Sequence, residues 1–147
     1  MIFALEPIDT SPDETVALWE GHWAETEEAY RKSPLNPDWA QFKRLDEVGW
    51  GRYFTARVDG KLAGHLYFIL HTNRHTQTRT AVEDFYYFTP AHRRGMNAVK
   101  LLRFAVTILK AEGAEQIGMS SKLTGGKNID PILKRVGFKH VANFFVM

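Results

Sequence analysis

Cysteine is absent from this chain of 147 residues. Its absence excludes disulfides, cysteine metal sites, thiolate nucleophiles and any cysteinyl acyl intermediate, and it is compatible with a reducing cytoplasm. Excess charge of one sign is nearly absent too. Lys and Arg number 19 against 17 Asp and Glu, a net +2 with the six His counted neutral, which is too mild to point to nucleic acid. No apolar run approaches the ~20 residues of a membrane-spanning helix. The opening residues Met1, Ile2, Phe3, Ala4, Leu5 and Glu6 have neither the basic flank nor the long apolar core of a secretory signal. Internal repeats, linkers and low-complexity tracts are also missing, so a single domain over 1–147 is expected.

Aromatic residues are plentiful: ten Phe, five Tyr and four Trp make 13% of the chain. With 44% apolar and 24% charged residues, the composition is that of a globular protein with an ordinary core and an aromatic-rich core or cleft. The local patterns follow in order. Residues 2–5 read as a strand, stopped by Glu6 and Pro7. Ser11, Pro12, Asp13 and Glu14 form a helix start, with Ser11 as N-cap. Val16, Trp19, Trp23 and Tyr30 then share a face, with Glu20, Glu25, Glu27 and Glu28 off it, which predicts a helix to about Tyr30. A shorter helix over 38–45 places Trp39, Phe42 and Leu45 on one side. The period then switches to two over 49–59, and Asp59-Gly60 is a hairpin turn into a strand over 62–71. A polar link carrying Arg74 leads to a third strand over 79–89. Ala98, Leu101, Leu102, Ala105, Ile108 and Leu109 have helical spacing, ended by Gly113. A short strand over 117–121, a flexible loop at Gly125 and Gly126, a helix over 129–136 stopped by Gly137, and one or two strands over 138–147 complete the chain. This order predicts an α/β (α+β mixed) fold: a mixed, mostly antiparallel twisted sheet of 6–7 strands with about four helices on both faces.

The stretch that organises the chain is the strand Tyr86, Tyr87, Phe88 running through Thr89 and Pro90 into the basic turn His92, Arg93, Arg94, Gly95 and the helix beyond. A helix start has backbone N–H groups with no internal partner, and the helix dipole favours negative charge there. A phosphate is therefore expected at Arg93, Arg94, Gly95, Met96, Asn97 and Ala98.

This stretch, continued to Leu101-Leu102, resembles the pyrophosphate turn of the GCN5-related N-acetyltransferase (GNAT) family. Ile132-Leu133-Lys134-Arg135-Val136-Gly137-Phe138 is similar to that family's closing helix and Gly-Phe pair. The resemblance covers essentially the whole chain and looks most like small bacteriophage-encoded members. It implies acetyl-CoA (CoA) as cofactor, with the backbone of Tyr86, Tyr87 and Phe88 along the pantetheine arm and the turn on the pyrophosphate. It also implies an amine-bearing acceptor, on a small molecule, a protein or a modified nucleobase. A cytoplasmic location is implied, in the host if phage-encoded, and a homodimer is compatible with the family. Two registers of the motif are open. If Arg93 takes its first position, Met96 stands where Gly is usual and Ala98 matches the last place. If Gly95 takes the first glycine's place, His92 stands for Arg or Gln and Asn97 for the second glycine. The first register is favoured because it keeps Leu101-Leu102 in place.

The resemblance further implies a carboxylate on the central strand as general base, acting on the acceptor amine. Glu83 and Asp84 are the candidates, Glu83 taken first. Neighbours on a strand point to opposite faces unless a bulge intervenes, and the ordinary alternative is a solvated acid or an ion pair with Arg57 or Arg79. Asn128 is a further cofactor candidate, or a helix cap with Asp130; Lys127 is a weaker one. The family's usual tyrosine acid falls on Leu133, which leaves the leaving thiolate without that donor. His65, His71, His75, His92 and His140 show no metal-ligand spacing, so no metal site is expected. The rivals to an acetyltransferase are a CoA-binding or phage structural protein without catalysis, and a nucleic-acid module using the basic link at Arg74 and Arg79.

Overall fold

The computed structural model describes residues 1–29, 31–123 and 128–147. Tyr30, Gly125, Gly126 and Lys127 from the expectations above lie outside the described residues. Five strands form one open sheet in chain order: β1 (Ile2–Glu6), β2 (Gly51–Val58), β3 (Lys61–Thr72), β4 (Arg79–Phe88) and β5 (Gln116–Gly118). The first four pair antiparallel; β5 joins β4 in parallel, after the crossover through a helix that parallel pairing requires. The Asp59-Gly60 turn takes positive φ at both residues, +50° and +80°, the geometry that matches the twist of a two-residue hairpin.

Four α-helices cover the sheet: α1 (Pro12–His22), α2 (Trp39–Glu47), α3 (Asn97–Ala111) and α4 (Asp130–Val136). α3 and α4 lie on one face, over Phe54, Leu66, Phe68, Leu70 and Phe88, all buried. α1 and α2 lie on the other, where Trp19, Trp39 and Phe42 pack over Tyr53, Tyr67 and Phe85. The alternation of strand side chains thus feeds two separate cores. Ser11 stands at the N-cap of α1 without capping it. Its hydroxyl instead accepts from Arg57 Nη2 at 2.9 Å, part of a cluster in which Arg57 also grips Glu6 and Glu14. In α2, by contrast, Asp38 caps as its residue type favours, accepting from the Gln41 N–H at 3.0 Å.

The sheet has five strands, not the 6–7 expected. The difference lies at residues 138–147, which pair with no strand among the described residues and leave Val141, Phe144 and Phe145 at 87%, 92% and 86% exposure. Their composition favours extended chain, but a strand is stable only with a neighbour's ladder and a face to bury. After the left-handed stop at Gly137 (φ +105°), Phe138 still packs on the core, but the exposed residues beyond it reach neither.

Candidate active site

Two irregularities build the site, and neither follows from residue type alone. The first is in β4. Phe85 pairs with Tyr67, but the next pair along is Glu83 with Phe68, so Asp84 is an extra residue, a β-bulge. The second is at the end of α1, where Trp23–Glu27 winds as a π-helical turn. The wider turn rotates the following side chains relative to an α-helix. Glu27, expected off the apolar face, is therefore buried at 5% exposure.

β5 accompanies β4 only from Thr80 to Val82. Beyond that fork, the β5-facing side of β4 from Glu83 to Phe88 has no strand beside it among the described residues. Glu83 spans the fork's mouth, accepting from the Ser120 N–H at 3.1 Å and the Ser120 hydroxyl at 3.0 Å. Burial raises the pKa of its carboxyl, partly opposed by those two bonds. The bulge turns Asp84 the other way, into a cleft of about 300 Å³ whose walls include Trp19, Trp23, Glu27, Phe85 and Lys122. Asp84 is an exposed residue, yet the protein on one side of its carboxyl raises its pKa, with Arg31 opposing. Adjacent carboxylates thus serve different compartments, Glu83 the fork and Asp84 the cleft.

Glu27 meets Arg31 at 2.7 Å and Lys122 at 3.2 Å in the cleft wall, with His22 at 3.9 Å. Burial lowers the pKa of His22, so its neutral form is favoured. Its ring stacks on Tyr87 at 5.6 Å. The Tyr87 hydroxyl donates to Glu25 at 2.9 Å, and burial followed by Glu25 pushes its pKa up to about 12. Gly21 makes this contact possible, since a Cβ there would sit 2.6 Å from the Tyr87 oxygen.

After β4, a 3₁₀ turn (Pro90–His92) leads through Arg93, Arg94, Gly95 and Met96 into α3. Gly95 takes φ +76°, and Met96 has an ordinary φ of −105°, so the turn needs its glycine at 95 and not at 96. Asn97 braces the turn, its side-chain amide donating to the His92 carbonyl at 3.1 Å. His92 is part of the same brace, its Nδ1 2.8 Å from the Thr89 hydroxyl. No side chain caps α3. Its first N–H groups, at Asn97, Ala98 and Val99, have no partner within the helix, an arrangement that can receive an anion. Arg94 is exposed beside them. Arg93, expected on the same anion, points elsewhere: Nε donates to the Phe88 carbonyl at 2.8 Å, Nη2 to Glu25 at 2.8 Å, and the guanidinium lies over Tyr87 at 5.0 Å.

The side chains of Tyr86 and Phe88 turn to the α3 face. The Tyr86 hydroxyl is buried without a hydrogen-bond partner among the described residues. Leu133 packs into the same core, so α4 supplies no hydroxyl at that position. Asn128 is exposed ahead of α4 and does not cap it; the helix N-cap position is Ile129, with no side-chain bond. Trp50 stands on the surface at 56% exposure. Arg74 lies in an exposed link closed on the Asn73 side chain. Glu25, Glu27, Ser120 and Lys122 were not singled out from the sequence. Their placement depends on the π turn and the fork, neither of which has a residue signature. Among the described residues no cluster of His, Asp and Glu could hold a metal ion, and no helix is long and apolar enough to cross a membrane.

Residues 15–129 match the sequence model of the Acetyltransferase (GNAT) family. The chain belongs to the GNAT family. The fork, the bulge and the uncapped α3 all fall within the matched part. Among curated proteins, none is significantly similar in sequence. Solved structures with this GNAT fold include a ribosomal-protein-alanine N-acetyltransferase from Brucella melitensis biovar Abortus 2308, 19% identical with a TM-score of 0.71, covering 100% of this chain and 99% of that one. An aminoglycoside acetyltransferase from an uncultured soil metagenomic sample is 19% identical with a TM-score of 0.74, covering 100% and 98%. A predicted acetyltransferase with acetyl-CoA from Clostridium acetobutylicum is 13% identical with a TM-score of 0.70, covering 99% and 94%. At these identities the likeness is one of fold.

Proposed function

We propose that this GNAT-family protein transfers an acetyl group from acetyl-CoA directly to an amine. The observation that carries the reading is the junction of three features at one strand: an unaccompanied stretch of β4, an uncapped helix N-terminus after it, and a carboxylate that a bulge turns into an aromatic cleft. The cofactor fits the residues present. The first N–H groups of α3, with Arg94, suit a pyrophosphate. The backbone of Tyr86, Tyr87 and Phe88 suits a pantetheine arm, once Arg93 leaves the Phe88 carbonyl. Gly95, Met96, Asn97 and Ala98 form the rest of that cradle, and Asn128 stands farther out. When bound, acetyl-CoA supplies an activated thioester.

The protein's own residues have these tasks. Asp84 holds the acceptor's ammonium in the cleft and takes its proton, since its raised pKa makes it a better base than an ordinary aspartate. Glu83 fixes Ser120 and the width of the fork. The rings of Trp19, Trp23 and Phe85 orient the acceptor and limit water around Asp84. Solvent returns a proton to the leaving sulfur, since Leu133 offers none.

Leu133 also motivates a second reading, a CoA-binding protein without catalysis. Calorimetry with acetyl-CoA, followed by thiol release across an amine panel, separates the two. Binding with thiol release favours the enzyme, binding without it the second reading, and no binding rejects both.

A further inference from the structure

Asp84 borders a cleft that mixes aromatic rings with charged groups. Trp19, Trp23, Phe42 and Phe85 supply rings to its walls, and Leu35 and Pro37 close another side. Its volume, about 300 Å³, is at the lower end of the range that small-molecule pockets span. Two carboxylates reach it, but they are not equivalent. Glu27 is already compensated by Arg31 at 2.7 Å and Lys122 at 3.2 Å. Asp84 forms no hydrogen bond or ion pair among the described residues, although Arg31 and Lys122 act on it through space. The rings suit a cation as well: Arg31 lies over Trp23 at 5.6 Å. The cleft therefore offers one carboxylate outside the Glu27 ion-pair cluster, several aromatic faces, and the polar side chains of His22 and Asn36 at its wall.

We infer that the acceptor is a small monoamine on a flat apolar or aromatic skeleton, its ammonium seated on Asp84 and its body against the aromatic wall. The inference rests on the acetyltransferase reading for the chemistry, and on the cleft alone for the selection. A polycation such as an aminoglycoside or a polyamine would need several carboxylates. Here the second is occupied by Arg31 and Lys122. Burying the ring of an aromatic amine gains apolar area that a sugar or a polyamine does not offer.

The test is calorimetric titration of the full chain, with CoA present, using 2-phenylethylamine, its neutral counterpart 2-phenylethanol, spermidine and kanamycin. The amine should bind at least about tenfold more tightly than each of the others, since the alcohol brings no charge to Asp84 and the two polycations bring no ring for the aromatic wall. In Asp84→Asn the advantage of amine over alcohol should vanish while alcohol binding stays within about twofold, which also shows that the cleft is intact. Tightest binding of spermidine or kanamycin, a preference that survives Asp84→Asn, or no amine binding at all would overturn the inference. Acetyl transfer is read separately on the same ligands. Binding of 2-phenylethylamine without transfer supports the inference and overturns the transferase reading. Transfer to spermidine or kanamycin alone supports the transferase reading and overturns the inference.

Discussion

Replacing Asp84 by Asn keeps the size and hydrogen-bonding reach of the side chain and removes its ability to take a proton. A positioned general base contributes about 10²–10⁴-fold, or about 3–5 kcal/mol of barrier at 1.36 kcal/mol per tenfold. The loss in kcat/KM should fall in that range. The pH profile carries more information than the rate. Burial raises the Asp84 pKa, with Arg31 and Lys122 opposing, so wild-type kcat/KM should fall as pH drops through that raised value, and the acid limb should be missing in the variant. Stability supplies the control. A carboxylate whose folded pKa is raised favours the folded state most below its unfolded pKa, and that contribution is lost as pH rises through the folded pKa. The Asn variant should therefore melt no lower than wild type at neutral pH. The assay is thiol release from acetyl-CoA at saturating cofactor across pH, with thermal unfolding alongside. A variant with kcat/KM within about threefold of wild type and an unchanged acid limb would refute the assignment and move the base to another group.

Glu83→Gln retains an oxygen for the Ser120 N–H and removes a buried charge whose pKa is raised. Its Tm should exceed that of wild type near pH 7, the gap closing toward about pH 4 where both forms are neutral; a lower Tm near pH 7 would refute this. Arg94→Ala should weaken acetyl-CoA binding about tenfold by calorimetry, the value of one exposed charge-assisted bond to phosphate, and an unchanged Kd would remove Arg94 from the site. Gly64→Ala should destabilise the fold by about 1–3 kcal/mol in denaturant titration, because its Cβ would lie 2.5 Å from the Phe88 ring; a neutral result would mean that the ring has room to move.

Much of the fold could be read from local signals. The Asp59-Gly60 hairpin, the apolar faces of α2 and α3, the stop at Gly137 and the basic turn before α3 depend on residues near one another in sequence, where turn chemistry and periodicity act directly. The site was less legible because its geometry comes from interruptions in those periods. Asp84 faces the cleft because β3 pairs with Phe85 on one side of it and Glu83 on the other, a matter of register with a strand some fifteen residues away. Glu27 turns inward because a π turn replaces the last α turn. Arg93 turns back because the Phe88 carbonyl and the Glu25 carboxylate, one on the preceding strand and the other distant in sequence, both accept from it. The missing final strands reflect the same limit. Residues 138–147 carry strand composition, but only the three-dimensional arrangement decides whether an edge is there to receive them.

The central claim is direct transfer from acetyl-CoA to an amine in the Asp84 cleft. It is tested most directly by incubating the protein with acetyl-labelled acetyl-CoA and 2-phenylethylamine, then locating the label in the amine, the protein and the cofactor. The account predicts label in the amine, none bound to the protein, and its near loss in Asp84→Asn. Label that remains wholly on the cofactor, or that accumulates on the protein, would contradict it.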